Sequence, residues 1–352
     1  MSDLTRQLQQ QVLSARSEGR QLNIVGGGSK AFMGRQSSGD LLDVGQHRGV
    51  VSYQPVELVV TARAGTPIGE IEALLEEQGQ MLAFEPPRFS DQSTLGGTLA
   101  CNLSGPGRPW QGSMRDHLLG IRLINGRGEA LRFGGQVMKN VAGYDVSRLM
   151  AGAMGTLGVI TEVSLKVLPR PACQVTLVES MGLDEALRVS NERAATPKPI
   201  SAVCWWQGKL HTRLAGARSS VESTVQQWGG EPYSEADEFW RQLRDQQLEF
   251  FAGDTPLWRF SVSPTAPQPA LDGEWLVDWG GAQRWLRAAG DIERYEPVAK
   301  EMGGSVTLFK GGDRSGEVFH SQPHALQTLQ QRLKRGFDPD SLFNPGRLYS
   351  WM

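Results

Sequence analysis

The stretch IVGGGSK, residues 24–30, sets three glycines, Gly26, Gly27 and Gly28, ahead of Ser29 and a lysine. Glycines in a row let successive backbone N–H groups turn into one concavity, and such a nest attracts anions, phosphates above all. The spacing meets neither G-x-G-x-x-G nor G-x-x-x-x-G-K-[ST], and the plainer reading is a tight strand-to-loop turn. Residues 85–120 carry Gly96, Gly97, Gly105, Gly107 and Gly112 among Ser93, Thr94, Thr98, Ala100 and Ser104. This stretch has little helix or strand periodicity and reads as a long loop, anchored by Leu95, Leu99, Leu103 and Trp110. Small residues let a flat ligand approach the backbone and hydroxyls serve its polar rim; a structural Ω-loop is the alternative. A third stretch, residues 139–161, has Asp145 as a cap for a short helix, with Gly152, Gly155 and Gly158 breaking regularity. Three such loops at strand edges point to one large ligand, phosphates at one end and a planar ring at the other. Near the terminus, SLFNPGRLY sets Asn344, Pro345 and Gly346 among Leu342, Phe343, Leu348 and Tyr349. Chain ends are usually poorly ordered unless tied down, and this order of residues predicts a tether.

The elements that must position these loops are legible in part. LNIV reads as a strand ending at the glycines, and VELVVTAR as a β-branched strand. PIGEIEALLEEQGQ predicts an amphipathic helix with Pro67 in its first turn and Ile68, Ile71, Leu74 and Leu75 on one face. LLGIRLINGRGEALRFGG predicts a β-hairpin turning at Asn125 and Gly126. TLGVITEVSLKVLP alternates Val159, Thr161, Val163, Leu165 and Val167 and reads as a long strand ending at Pro169. Composition then shifts: glycine thins, and every tryptophan but Trp110 lies at or beyond Trp205. Strand-like and helix-like segments alternate there, with SPTAPQPALDGE a proline-rich loop, which predicts a second α+β unit. Tryptophan serves cores and interface hot spots alike, so this unit offers either a core or a partner face.

Glycine is the informative excess: 42 of 352 residues, against roughly 7% on average. The net charge of −2 and the lack of a lysine/arginine run exclude electrostatic steering to nucleic acid. Cys101, Cys173 and Cys204 stand alone, so the chain cannot by itself hold an iron–sulfur cluster or cysteine-rich zinc site. The sparse count fits a reducing, cytoplasmic setting, and the N-terminal residues carry no apolar signal region.

VGGGSK, STLGGTLACNLSG with GSMRDHLLG, GYDVSRLMAGAMGTLGVITEVSLKVLP and FNPGRLY, in that order, resemble the FAD-binding segments of the vanillyl-alcohol oxidase / p-cresol methylhydroxylase family. The resemblance covers about residues 1–170 and the last 15 or so. It implies an α+β, two-domain PCMH-type FAD-binding fold: an FAD-binding domain over 1–170, an α+β cap over 171–330, and a return to the FAD domain over 331–352. QVMKNVAGYDVSRLM and GGSVTLFKG are most similar to the smaller FAD-binding subunit of bacterial glycolate oxidase. By position, the family implies that Gly26, Gly27, Gly28 and Ser29 bind the FAD diphosphate. It implies that Ser93, Thr94, Gly96, Gly97, Asn102 and Ser104 line the diphosphate and ribityl path, and that Asp116 contacts the cofactor or orients that loop. It implies further that Gly155, Gly158 and Ile160 meet the adenine end or the flavin edge, and that Asn344 contacts the flavin.

Departures from the family carry their own expectations. Covalent members attach FAD through a His or Cys, but none sits beside VGGGSK, and His117 occurs where non-covalent members also have it, so FAD is expected to be non-covalent. Cys101 is the remote exception. Related dehydrogenases carry H-x-x-x-H and G-D-G-N-x-H for metal and proton removal; here His320 and His324 flank Pro323, no GDGN follows, and no metal site is expected. With no evident general base, the subunit is expected to carry electrons rather than oxidise substrate. The family implies partners: a larger FAD-containing catalytic subunit that takes glycolate, a small 2-hydroxy acid, and an iron–sulfur subunit. Membrane contact at the inner membrane would come only through that complex. Two alternatives stand: a self-sufficient FAD-dependent 2-hydroxy-acid dehydrogenase with Arg259, Lys310 or Arg314 holding the carboxylate, and a non-catalytic scaffold.

Overall fold

The computed structural model describes residues 3–135 and 145–352, so the QVMKNVAGY phrase at 136–144 lies outside the described residues. β-Branched residues at alternating positions build a five-stranded antiparallel sheet, in the order Val50–Gln54, Val59–Arg63, Val159–Lys166, Leu118–Ile124, Ala130–Gly134. Val159–Lys166 is central and buried on both faces, since Ile160 and Ser164 are covered as well as Val159, Val163 and Leu165. Helix Thr5–Ser17, through Leu8, Val12 and Ala15, and helix Ile68–Glu76, through Ile68, Ile71 and Leu75, join the same core.

Beside it, Leu22–Val25 pairs in parallel with Asp40–Asp43 and ends at the glycine loop. The chain terminus returns to the other edge of Leu22–Val25. Leu22 donates to the Leu342 carbonyl at 2.7 Å, and Asn344 donates to the Leu22 carbonyl at 2.9 Å. Leu342 and Phe343 are buried in the core below, which stabilises the return by roughly 1.5–3 kcal/mol per side chain.

Residues 173–310 form an eight-stranded antiparallel sheet. Its hairpin Ile200–Trp206 to Lys209–Gly216 turns at Gln207 and Gly208, both left-handed (φ 49° and 73°), as a two-residue type I′ loop requires. Trp240, Trp258, Trp279 and Trp285 are buried and the other six tryptophans half-buried, so these rings build a core and present no exposed aromatic face.

Two local expectations are corrected. The hairpin at Asn125 and Gly126 has a five-residue loop in place of a two-residue turn: Asn125 N–H donates to the Glu129 carbonyl, and its side-chain oxygen accepts from Arg127 and Glu129. A side chain's capacity to bridge its own loop competes here with the short turn. The 85–120 stretch is not mainly loop; it contains helices Leu95–Cys101, Arg108–Gln111 and Met114–His117. Thr94 caps the first by accepting from Gly97 N–H, and tertiary acceptors outweigh the low helix propensity of Gly96 and Gly97.

The return is fixed by helix His324–Phe337 and the residue after it. Lys334 Nζ donates to Asp338 Oδ2, the Thr156 carbonyl and the Phe343 carbonyl at 2.7, 2.7 and 2.8 Å. Asp338 also accepts from Leu342 and Phe343 N–H. Removing one partner of a buried pair strands the other charge. Lys334→Met is expected to destabilise the protein by about 3 kcal/mol in denaturant titration; an unchanged midpoint contradicts this role.

In the second sheet, His211 stacks on Phe239 with ring centroids 4.0 Å apart. Burial pushes its pKa down from 6.5 to about 4. Between those values the unfolded chain binds a proton that the folded chain refuses, so stability falls as pH drops, by up to about 1.4 kcal/mol per pH unit. His211→Phe is expected to flatten the fall in unfolding free energy between pH 6.5 and 4; an unaltered slope contradicts it.

Candidate cofactor site

Four chain segments converge on one cleft: the glycine loop, helix Leu95–Cys101, the turn at 154–160 and the terminal return. The glycine loop follows a strand, and the N–H groups of Gly26, Gly27, Gly28 and Ser29 have no acceptor among the described residues. These residues line a cleft that has no carboxylate in its lining among the described residues. Ser29 itself is held by Ser93, whose hydroxyl lies 2.8 Å from its own. Gly27 is required by close approach: a Cβ there would fall 1.5 Å from the Gln92 carbonyl oxygen.

Helix Leu95–Cys101 is docked at both ends. Gly96 N–H donates to the Ala64 carbonyl, while Gly152 and Met154 N–H donate to the Leu99 and Ala100 carbonyls at its C-terminal end. Those last bonds satisfy carbonyls that a helix end otherwise leaves open, and they bring Met154 and Gly155 to the cleft. Asn344 locks the arrangement. Its Oδ1 accepts from Ile24 N–H at 2.7 Å, and its Nδ2 donates to the Met154 carbonyl at 2.6 Å. Gly155, at φ 76°, leaves room for it; a Cβ there would lie 2.5 Å from Asn344 Nδ2.

The residues singled out from sequence therefore divide. Gly26, Gly27, Gly28, Ser29, Thr94, Gly96, Gly97, Gly155, Gly158, Ile160 and Asn344 line the cleft. Ser93, Asn102, Ser104 and Asp116 stand behind it. Asn102 closes the helix in the left-handed region at φ 48°. Ser104 Oγ accepts from Met114 N–H. Asp116 accepts from both the N–H and the hydroxyl of Ser113, orienting the following turn. His117 sits between the Gln111 and Lys166 carbonyls. Among the described residues no cluster of three or more His, Cys, Asp or Glu could hold a metal, and His320 Nδ1 faces Val306 N–H.

Sequence reasoning did not single out Lys30 and Arg347 as cleft residues, and named Cys101 only as the remote exception to non-covalent FAD; all three line the cleft. Lys30 is 7% exposed, its Nζ 3.5 Å from Ser29 Oγ and 5.8 Å from the Phe89 ring centre, with no carboxylate partner among the described residues. Burial pushes its pKa down. Burial likewise pushes the Cys101 thiol up, against the pull of Lys30, Arg347 and Arg259 nearby. Arg347 donates to the Arg35 and Ala31 carbonyls and spans the cleft's rim. An unpaired buried cation beside unpaired amides makes this cleft a seat for an anionic ligand, with apolar wall from Ile24, Val44, Ala64 and Ile160 to hold rings.

Comparison with known proteins agrees with that chemistry. An FAD binding domain family model matches residues 4–134. The chain is 49% identical over 348 residues to glycolate oxidase subunit GlcE of Escherichia coli (strain K12), covering 99% of this chain and 98% of that protein. The chain belongs to the GlcE family of PCMH-type FAD-binding proteins. FAD is its cofactor, and the family is one of FAD-dependent oxidoreductases. Glycolate oxidase subunit GlcD of Bacillus subtilis (strain 168) is 33% identical over 131 residues, 37% of this chain and 27% of that one. In fold, alkyldihydroxyacetonephosphate synthase matches with a TM-score of 0.65 at 15% identity, over 97% of this chain and 76% of that chain.

Asn344→Leu strips the Ile24 N–H and the Met154 carbonyl of their partners, at about 1–3 kcal/mol for each group left buried and unpaired. The variant is expected to unfold at lower denaturant and to lose bound FAD on gel filtration. A variant with wild-type stability and wild-type flavin content contradicts the clasp.

Proposed function

We propose that this chain is the FAD-binding subunit of a multi-subunit glycolate oxidase, carrying electrons from glycolate oxidation through a non-covalent FAD. Near full-length likeness to a protein named as a glycolate oxidase subunit supports the reading. The observation that carries it is the row of unpaired amides from Gly26 to Ser29, facing the apolar cleft beside Lys30. Those amides would hold the diphosphate, with Lys30 offsetting its charge. Thr94, Gly96 and Gly97 would lie along the linker, while Gly158 and Ile160 would close one end of the cleft and Ala100, Cys101 and Met154 the other. FAD, when bound, supplies the two-electron acceptor.

Non-covalent attachment is supported by the lining, which contains no histidine and one thiol, Cys101, kept protonated by burial. Onward transfer requires partners: among the described residues no ligand cluster exists for a further redox centre. A larger FAD-containing catalytic subunit and an iron–sulfur subunit fit that need. No helix of the described residues is long and apolar enough to cross a membrane, so inner-membrane attachment would come through the complex.

Acid precipitation of the purified chain is expected to leave a yellow supernatant and a colourless pellet. Glycolate with a dye acceptor is expected to give no steady turnover until the partner subunits are added. A yellow pellet contradicts non-covalent binding, and turnover by the lone chain contradicts the electron-carrier role.

A further inference from the structure

Three arginines crowd the mouth of the cofactor cleft, where the terminal return meets the segment after the glycine loop. Arg347 lines the cleft and donates to the Ala31 and Arg35 carbonyls at 3.0 and 3.2 Å. Arg35 Nε donates back to the Gly346 carbonyl at 3.1 Å. Arg314 donates to the Gly34, Leu308 and Phe309 carbonyls at 2.8, 3.1 and 2.7 Å. All three side chains belong to half-buried residues. Burial pushes the Arg314 pKa down to about 10, and the charge of Arg347 adds to the shift.

The carbonyls hold these guanidiniums in place without cancelling their charge. Among the described residues Glu317, 3.5 Å from Arg35, is the one carboxylate ion-paired with any of them. Asp313, next to Arg314 in the chain, accepts from Ser315 instead. Lys30, deeper in the cleft, has no carboxylate partner among the described residues either. The mouth therefore keeps a local positive charge on a chain whose formal net charge is −2. Both terminal nitrogens of Arg314 and of Arg347 are engaged by carbonyls, so neither offers a free bidentate seat to a small anion. What remains is the field of the charges, with a reach of about 10 Å at 0.1 M salt. A field of that reach suits an extended acidic surface. Trp351 is half-buried on the same return, stacked on Tyr349 with ring centroids 4.8 Å apart. Arginine and tryptophan are the residues that most often anchor interfaces.

We propose that this mouth is a docking face for an acidic surface of the partner that takes electrons from this subunit. Arg35, Arg314 and Arg347 supply the attraction, and Arg347, which also lines the cleft, makes the face continuous with the cofactor seat. The inference rests on the electron-carrier reading above and adds where the partner sits and which charge it presents. A second copy of this chain meeting the mouth with its own would bring like charges together, which disfavours it as the occupant.

The test adds charge beside the arginines without touching them. Gln36 donates its N–H to the Arg314 carbonyl, and Ser350 donates its N–H to Glu317. Both residues are exposed, and neither side chain has a hydrogen bond to a described residue. Association of the FAD-loaded chain with the immobilised larger flavin subunit and iron–sulfur subunit is followed on a biosensor surface at two salt concentrations. At about 0.1 M salt the Gln36→Glu/Ser350→Glu variant is expected to associate about tenfold more slowly than the Gln36→Lys/Ser350→Lys variant. The two rates are expected to converge near 1 M salt, where screening shortens the reach to about 3 Å. Flavin content and melting temperature are expected to match wild type in both. If a double variant loses flavin, the single Gln36→Glu and Gln36→Lys variants carry the same expectation. Equal rates for the two signs at low salt, or faster association of the glutamate variant, overturn the proposal and leave the subunit reading standing. A wild-type chain that does not associate with those subunits overturns both.

Discussion

The Lys334–Asp338 pair is the constraint on which the rest of the molecule depends. Lys334 donates three hydrogen bonds, one of them to the Thr156 carbonyl in the turn beneath the cleft. Asp338 in turn orders Leu342 and Phe343 through their N–H groups. An ion pair this buried is weak evidence for net stability, because desolvation opposes the attraction. Its role is placement: the path taken by residues 338–344 satisfies every one of these groups. That path brings Asn344 between Ile24 and Met154, and so fixes two of the cleft's walls from a segment some 190 residues distant from one and 320 from the other.

The cleft itself is made largely of backbone. In the proposed site the acceptor-free N–H groups of the glycine loop would do the recognising, and side chains mainly hold the loops apart or together. This explains why the glycine excess concentrates where it does. Gly27 and Gly155 sit where a neighbouring carbonyl or amide occupies the space of a methyl group. It also explains why the polar residues behind the cleft, Ser93, Ser104 and Asp116, spend their hydrogen bonds on the chain rather than facing the ligand. They set the positions of loops that do face it.

Much of this was legible in the sequence. The strands at 22–25, 59–63 and 159–166 announce themselves by β-branched runs bounded by glycine or proline, and helix Ile68–Glu76 by its apolar period. The tether of the chain end followed from an ordered polar motif among apolar residues, while the place of Asn344 at the cofactor site came from the family resemblance. Helix Leu95–Cys101 escaped because Gly96 and Gly97 lower its local propensity, and what stabilises it is a cap plus acceptors from distant loops. The five-residue loop after Ile124 escaped because Asn125 bridges it with its own side chain. Lys30 and Arg347 were invisible as site residues because a lone cation carries no periodicity; only the absence of a carboxylate partner among the described residues, a three-dimensional fact, marks Lys30 out. Arg259 was one of three basic residues equally able to hold a carboxylate, and its guanidinium, without a hydrogen bond or ion pair to a described residue, differs from that of Arg314, which is bonded to the Gly34, Leu308 and Phe309 carbonyls.

The most direct measurement of the central claim is a crystal structure of this chain grown with FAD. The account predicts diphosphate oxygens within hydrogen-bond distance of the Gly26–Ser29 amides, with Asn344 still bridging Ile24 and Met154 beside the cofactor. FAD seated elsewhere, or bound in this cleft with residues 343–347 detached from it, would contradict the account.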